Sequence, residues 1–190
     1  SNMIKLAEAI EAEQLNARIT IVISNQHCAG ITHAANLGIQ TKVIERQNFT
    51  TRRNHDLAIQ DAITSSSVDY VFLAGYMAIL GAEFTKAFAG KLINIHPSLL
   101  PEFKGLDTHQ RAIEAQARQH GATVHLVTAE LDDGPIILQA ELSILPDDDA
   151  GRLAARVLQL EHHLYPFVLE CLCEGHLTLA ADQVNWHSPD

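Results

Sequence analysis

The chain lacks the features that would assign it to several broad classes. No apolar run approaches the ~20 residues needed to cross a bilayer, and no basic-then-apolar segment opens it, so a cytoplasmic protein is expected. Cysteine is scarce. Cys28, Cys171 and Cys173 form an odd set without paired spacing, a poor disulfide framework, and a lone Cys-x-Cys lacks the second ligand pair that zinc requires. Basic charge is also short: thirteen Lys and Arg stand scattered against 23 Asp and Glu, for a net charge of −10. Nucleic-acid partners usually meet a basic patch, so they are not expected, and an anionic ligand must be held by local donors. Internal repeats, low-complexity segments and linkers rich in Gly, Pro or Ser are all missing, so residues 1–190 read as a single domain.

What is present alternates between helical and strand periodicity. Helical patterns cover 3–14, 29–37 (closed by Gly38), 52–65, 82–89, 109–119 and a long stretch from about 148 to 174. Strand patterns cover 17–24, 41–45, 70–76, 91–96, 122–130 and 135–144. Apolar strands separated by helices imply a parallel sheet covered on both faces, with runs such as VFLAG at its centre. The last two strands, joined by a short loop, imply an added antiparallel element. The expected fold class is α/β, a Rossmann-like and mostly parallel twisted sheet with helices on both faces.

The chemistry concentrates in 93–101, INIHPSLLP. Asn94 and His96 lie two apart on a strand and leave the same face, and Pro97 should end that strand. An amide and an imidazole are thereby placed at the carboxyl end of a parallel strand, where open α/β sheets bind ligands. The amide can donate to a developing oxyanion and the imidazole can move a proton near neutral pH. A second segment, ELDDGP at 130–135, reads locally as an acidic turn, although a carboxylate there could reach a histidine and orient it. Spacing alone does not join Asp132 to His96. In the long helix, His162 and His163 are adjacent and so point about 100° apart, which suits a solvated face better than a metal site. No HExxH is present, and no metal is expected.

Together these strings resemble the phosphoribosylglycinamide (GAR) formyltransferases of the folate-dependent formyltransferase superfamily, from Ser1 to about Leu179. The resemblance is carried by NxHPSLLP at 94–101, by LDxGPIILQ at 131–139 and by EHxxYP at 161–166. It implies the formyltransferase fold and transfer of the formyl group of 10-formyltetrahydrofolate, as co-substrate and without metal, to the amino group of GAR. It places Asn94, His96 and Asp132 at the catalytic positions. It assigns Leu73, Met77, Ala78, Ile79, Leu80, Leu92, Val127, Ala129 and Glu130 to the pterin slot and its loops, and Arg52 to the folate tail. Ser1, Asn2, Pro97 and Glu161 fall on the GAR side. Partners are expected to be these small molecules, with no nucleic acid or membrane, and a monomer or homodimer.

The pattern also departs from the family. Asp133 stands where a second glycine is common, Ala78 replaces a frequent arginine, Leu158 replaces a polar residue and Asp107 replaces a histidine. Family members begin with a strand and a glycine-rich turn ending Gly-Ser-Asn, so Ser1-Asn2 is expected to be the end of that turn, with the first strand absent from this sequence. The other reading is a tag remnant before Met3. Formyltetrahydrofolate deformylase, which uses water as acceptor, and a catalytically weak folate-binding module are the rival functions. Methionyl-tRNA formyltransferase is disfavoured because no basic C-terminal domain follows.

Overall fold

A computed structural model describes residues 1–188. Helix α1 (Asn2–Ala12) leads to β1 (Val22–Ser24), α2 (Ala29–Asn36) and β2 (Thr41–Val43), and then α3 (Arg52–Ser65) precedes β3 (Val71–Leu73). Next come α4 (Ala82–Ala87), β4 (Leu92–His96), α5 (Thr108–Glu114), β5 (Gln119–Leu126) and β6 (Ile136–Ser143). The long α6 (Ala150–Cys173) and the hairpin β7 (Leu177–Leu179) and β8 (Val184–Trp186) complete the order. Local chemistry explains several boundaries. The Thr51 hydroxyl accepts from Asn54 N at 3.1 Å to start α3, and the Asp149 carboxylate accepts from Arg152 N at 2.8 Å to start α6.

Pairing is parallel between β1 and β2 and between β3 and β4, then antiparallel from β4 to β5 and from β5 to β6. The antiparallel addition foreseen at the end of the sheet is therefore present. Among the described residues, β1–β2 and β3–β4–β5–β6 are two separate sheets, because β1 and β3 share no hydrogen bonds. Several bounds shift in detail. The strand foreseen at 17–24 is confined to Val22–Ser24, and the helix foreseen at 109–119 stops at Glu114. Strand β5 then begins three residues early, at Gln119, and the β7–β8 hairpin carried no legible pattern. The chain after Glu114 turns through Gln116 at φ 52° and enters β5 because pairing with β6 recruits 119–121, an effect of tertiary pairing that helical periodicity cannot register.

Both faces of the four-stranded sheet are covered. Ile93 and Ile95 join Val124, Leu126, Leu153, Val157 and Tyr165 in a core beneath α6. Leu92 points the other way, into a cluster of Ile59, Ile63, Leu80, Phe84 and Phe88 from α3, α4 and the segment before α4. No described helix is long and apolar enough to cross a membrane.

Tyr165 locks the two layers together. Its ring is fully buried against Phe72, and its hydroxyl reaches Leu73 O at 3.0 Å and Ile93 O at 2.9 Å. Burial raises the phenol well above its ordinary pKa, so it remains a donor. Tyr165→Phe is expected to leave these two buried carbonyls one partner short, at a cost of about 1–3 kcal/mol. In a chain of this length the loss lowers the melting midpoint by roughly 2–4 °C per kcal/mol, readable by calorimetry.

Candidate active site

Strand β4 alternates faces, so Leu92, Asn94 and His96 share one side. Pro97 follows directly, and the chain leaves the sheet in a loop pinned by buried hydroxyls. Thr123 Oγ1 donates to Ser98 O at 2.7 Å and accepts from Leu100 N at 3.0 Å, while Thr108 Oγ1 donates to Pro97 O at 2.7 Å. Gln139 Nε2 adds donations to Leu100 O at 2.9 Å and Thr123 Oγ1 at 2.8 Å. The end of β4 is thereby held in place from β5, β6 and α5.

Asn94 faces His125 across the antiparallel register of β4 and β5. His125 Nδ1–H donates to Leu126 O at 2.8 Å, which leaves Nε2 as an acceptor. Asn94 Nδ2 lies 3.2 Å from that Nε2, so the amide must present its NH₂ group to the ring. One N–H is used there and the second remains for a ligand. Burial lowers the His125 pKa, which keeps the ring neutral and able to accept.

Asp132 lies in the β5–β6 loop with φ at 48°. Its carboxylate approaches His96 Nδ1 at 3.4 Å and His125 Nε2 at 3.8 Å, and its Oδ2 accepts from Gly105 N at 2.8 Å. His96 Nε2 donates to Phe103 O at 3.0 Å, so both ring nitrogens of His96 face oxygen acceptors. The loop can fold this tightly because of Gly134, where a Cβ would sit 1.8 Å from Leu126 O. The structure thus brings Asn94, His96 and Asp132 together, which spacing alone could not do.

A second cluster lies at the start of α1, capped by Ser1. Asn2 is buried, and its Nδ2 donates to Glu161 Oε2 of α6 at 2.7 Å, while its Oδ1 has no partner. Burial raises the Glu161 pKa, against the smaller opposing pull of the Asn2 bond. The remaining expected positions are spread more widely. Leu80 and Leu92 are buried in the α3–α4 cluster, with Leu73 and Val127 packed on its rim. Met77, Ala78, Ile79, Ala129 and Glu130 are exposed, Met77 at 74%. Arg52 opens α3 and lies 3.7 Å from Asp56, whose Oδ2 accepts from Gly81 N at 3.0 Å. Asp56 therefore joins the start of α3 to Gly81, just beyond the exposed 77–79 segment.

A family model described as formyl transferase matches residues 1–169. The chain belongs to the formyl transferase family. It is 44% identical to a phosphoribosylglycinamide formyltransferase of Haemophilus influenzae over 180 residues, covering 94% of this chain and 85% of the relative. A solved phosphoribosylglycinamide formyltransferase from Coxiella burnetii superposes with a TM-score of 0.92 at 40% identity, covering 97% of this chain and 87% of that one. A solved formyltetrahydrofolate deformylase from Pseudomonas syringae superposes with a TM-score of 0.89 at 25% identity, covering 98% of this chain and 62% of that one.

In this formyl transferase, two features of the site escaped the sequence reading. A strand over 122–130 already puts His125 in the sheet, but its pairing with Asn94 needs the β4–β5 register. His109 and His120 form the other feature. Buried His120 places Nε2 3.2 Å from His109 Nδ1, and its own Nδ1 has no partner. Burial, then the neighbouring His109 and His96, pushes the His120 pKa down to about 4.

Two outcomes are expected. His125→Phe removes the acceptor that orients Asn94, so kcat should fall about tenfold or more with a smaller change in KM; unchanged kcat would remove His125 from the site. For His120, the unfolded chain takes up a proton near pH 6.5 while the folded chain resists until about 4. Its contribution to stability is therefore complete above the unfolded pKa and is lost as pH falls towards the folded one. Between pH 6.5 and pH 5 the loss is on the order of 2 kcal/mol in denaturant unfolding, and His120→Gln should lose less over that interval.

Proposed function

We propose that this formyl transferase moves the formyl group of 10-formyltetrahydrofolate to the amino group of GAR, as a single cytoplasmic domain, monomer or homodimer, with these small molecules as its partners. The observation that carries the reading is the free N–H of Asn94, aimed by a neutral His125 and lying beside the His96–Asp132 pair.

The GAR amine attacks the formyl carbon and forms a C–N bond, and negative charge collects on the formyl oxygen. Asn94 Nδ2 donates its second N–H to that oxygen. For the transfer His96 Nε2 exchanges Phe103 O for the reacting atoms, where it assists the oxyanion and relays the proton released by the attacking nitrogen towards the departing folate nitrogen. Asp132 holds the imidazole in this orientation. The C–N10 bond breaks as the carbonyl re-forms, giving formylated GAR and tetrahydrofolate. The formyl group is already activated by its folate nitrogen, so no metal is assigned.

The substrate positions are assigned on the same reading. The first N–H groups of α1, at Ser1 and Asn2, have no intrahelical partners and suit the phosphate of GAR. Glu161, bonded to Asn2, and Pro97 are assigned to the GAR side. Met77, Ala78, Ile79, Ala129 and Glu130 form exposed walls for the pterin, backed by Leu73, Leu80, Leu92 and Val127, and Arg52 meets the folate tail. The greater identity to GAR formyltransferases than to the deformylase favours GAR over water as acceptor.

Loss of the formyl group, followed spectroscopically with and without GAR, tests the proposal. Turnover should require GAR and fall by about a hundredfold or more in His96→Ala. Turnover without GAR would identify the hydrolase, and folate binding without turnover would identify a binding module.

A further inference from the structure

Residues 103–107 supply two contacts that frame the catalytic pair. Phe103 O accepts from His96 Nε2 at 3.0 Å, and Gly105 N donates to Asp132 Oδ2 at 2.8 Å. Both come from irregular backbone. Within five residues the chain takes left-handed φ at Phe103 (54°), Gly105 (79°) and Asp107 (55°). Glycine tolerates this conformation, but Phe103 and Asp107 hold it only if neighbouring groups impose it.

The imposing group is one turn away on α5. Arg111 Nη1 donates to Lys104 O at 2.6 Å and to Leu106 O at 3.1 Å, the carbonyls on either side of Gly105. The guanidinium carbon also lies 5.7 Å from the centre of the Phe103 ring. One planar cation therefore grips the loop at Phe103, Lys104 and Leu106. Among the described residues no carboxylate pairs with Arg111, so its role here is to bind carbonyls and a ring. A lysine cannot match that planar fork. From the opposite side, Lys104 pairs with Asp133, the residue after Asp132 and the one that departs from the family's glycine. The two residues touching His96, Phe103 and Asp132, are thus each followed by a member of this ion pair.

We propose that Arg111 is a positioning residue for His96 and Asp132, acting through the 103–107 loop, with the Lys104–Asp133 pair joining that loop to the Asp132 loop. Without Arg111, Lys104 O and Leu106 O lose their donor and the left-handed run relaxes. The Gly105 N–H then leaves Asp132, and the Phe103 carbonyl leaves His96. The effect on turnover rests on the formyl transfer reading; the effect on the loop does not.

The experiment compares Arg111→Met and Arg111→Lys with a neighbouring control, Gln110→Ala, whose side chain bonds only Glu114 on the helix surface. Amide exchange is read by nuclear magnetic resonance, and kcat and KM by the formyl transfer assay. In Arg111→Met the Gly105 amide should exchange about tenfold faster or more while amides of β4 and β5 keep their protection. The same variant should lose about tenfold or more in kcat with each KM within roughly threefold, and Arg111→Lys should recover only part of the loss. Unchanged Gly105 exchange in Arg111→Met would overturn the proposal. So would acceleration throughout β4 and β5, full recovery by Arg111→Lys, or a freed Gly105 with unchanged kcat. If the unaltered protein transfers no formyl group to GAR, that failure belongs to the proposed function, and Gly105 exchange alone decides whether Arg111 holds the loop.

Discussion

Strand β4 is covered on both faces along its length and is interrupted at its carboxyl end by a proline, and the hydrogen bond between Asn94 and His125 depends on both conditions. Burial beneath α6 on one side and against α3 and α4 on the other fixes the height and register of the strand. Pairing with β5 then sets Asn94 opposite His125. Because His125 spends its Nδ1–H on the backbone and is too buried to gain a second proton readily, it can only accept from Asn94. A rotatable amide thereby acquires one orientation before any substrate arrives. The preorganisation comes from ordinary core packing.

Helix α6 extends the same constraint to the other end of the site. Tyr165 binds the carbonyls of Leu73 and Ile93, and one turn earlier Glu161 binds Asn2 at the start of α1. The helix that closes the core therefore also sets the distance between β4 and the start of α1. Asn2 Oδ1 and the raised pKa of Glu161 show that this junction carries more polarity than its surroundings satisfy. Unmet hydrogen-bonding capacity at a helix start is chemically suited to a polar substrate.

Much of this was legible in residue order. The INIHPSLLP string specified a strand that ends after the histidine, because period-two alternation and a missing proline donor are local properties. The amphipathic run at 52–65 matched α3 at both ends, helped by the Thr51 cap. The helix foreseen at 109–119 is present but ends at Glu114, because 119–121 take their conformation from β6. A pairing partner on another strand outweighed the local pattern.

The sequence by itself determined which side chains could do chemistry and that Asn94 and His96 share a face, since alternation and the stop at Pro97 need no other part of the chain. It also determined the family, through strings too specific to arise from composition. Tertiary structure alone decided that Asp132 reaches His96, that His125 aims Asn94, and that Arg111 and Lys104 tie the 103–107 loop to both. Those relations join residues brought together by β-sheet register and by loops with left-handed backbone. Neither leaves a periodic trace in the order of amino acids, because each depends on where a distant segment comes to rest.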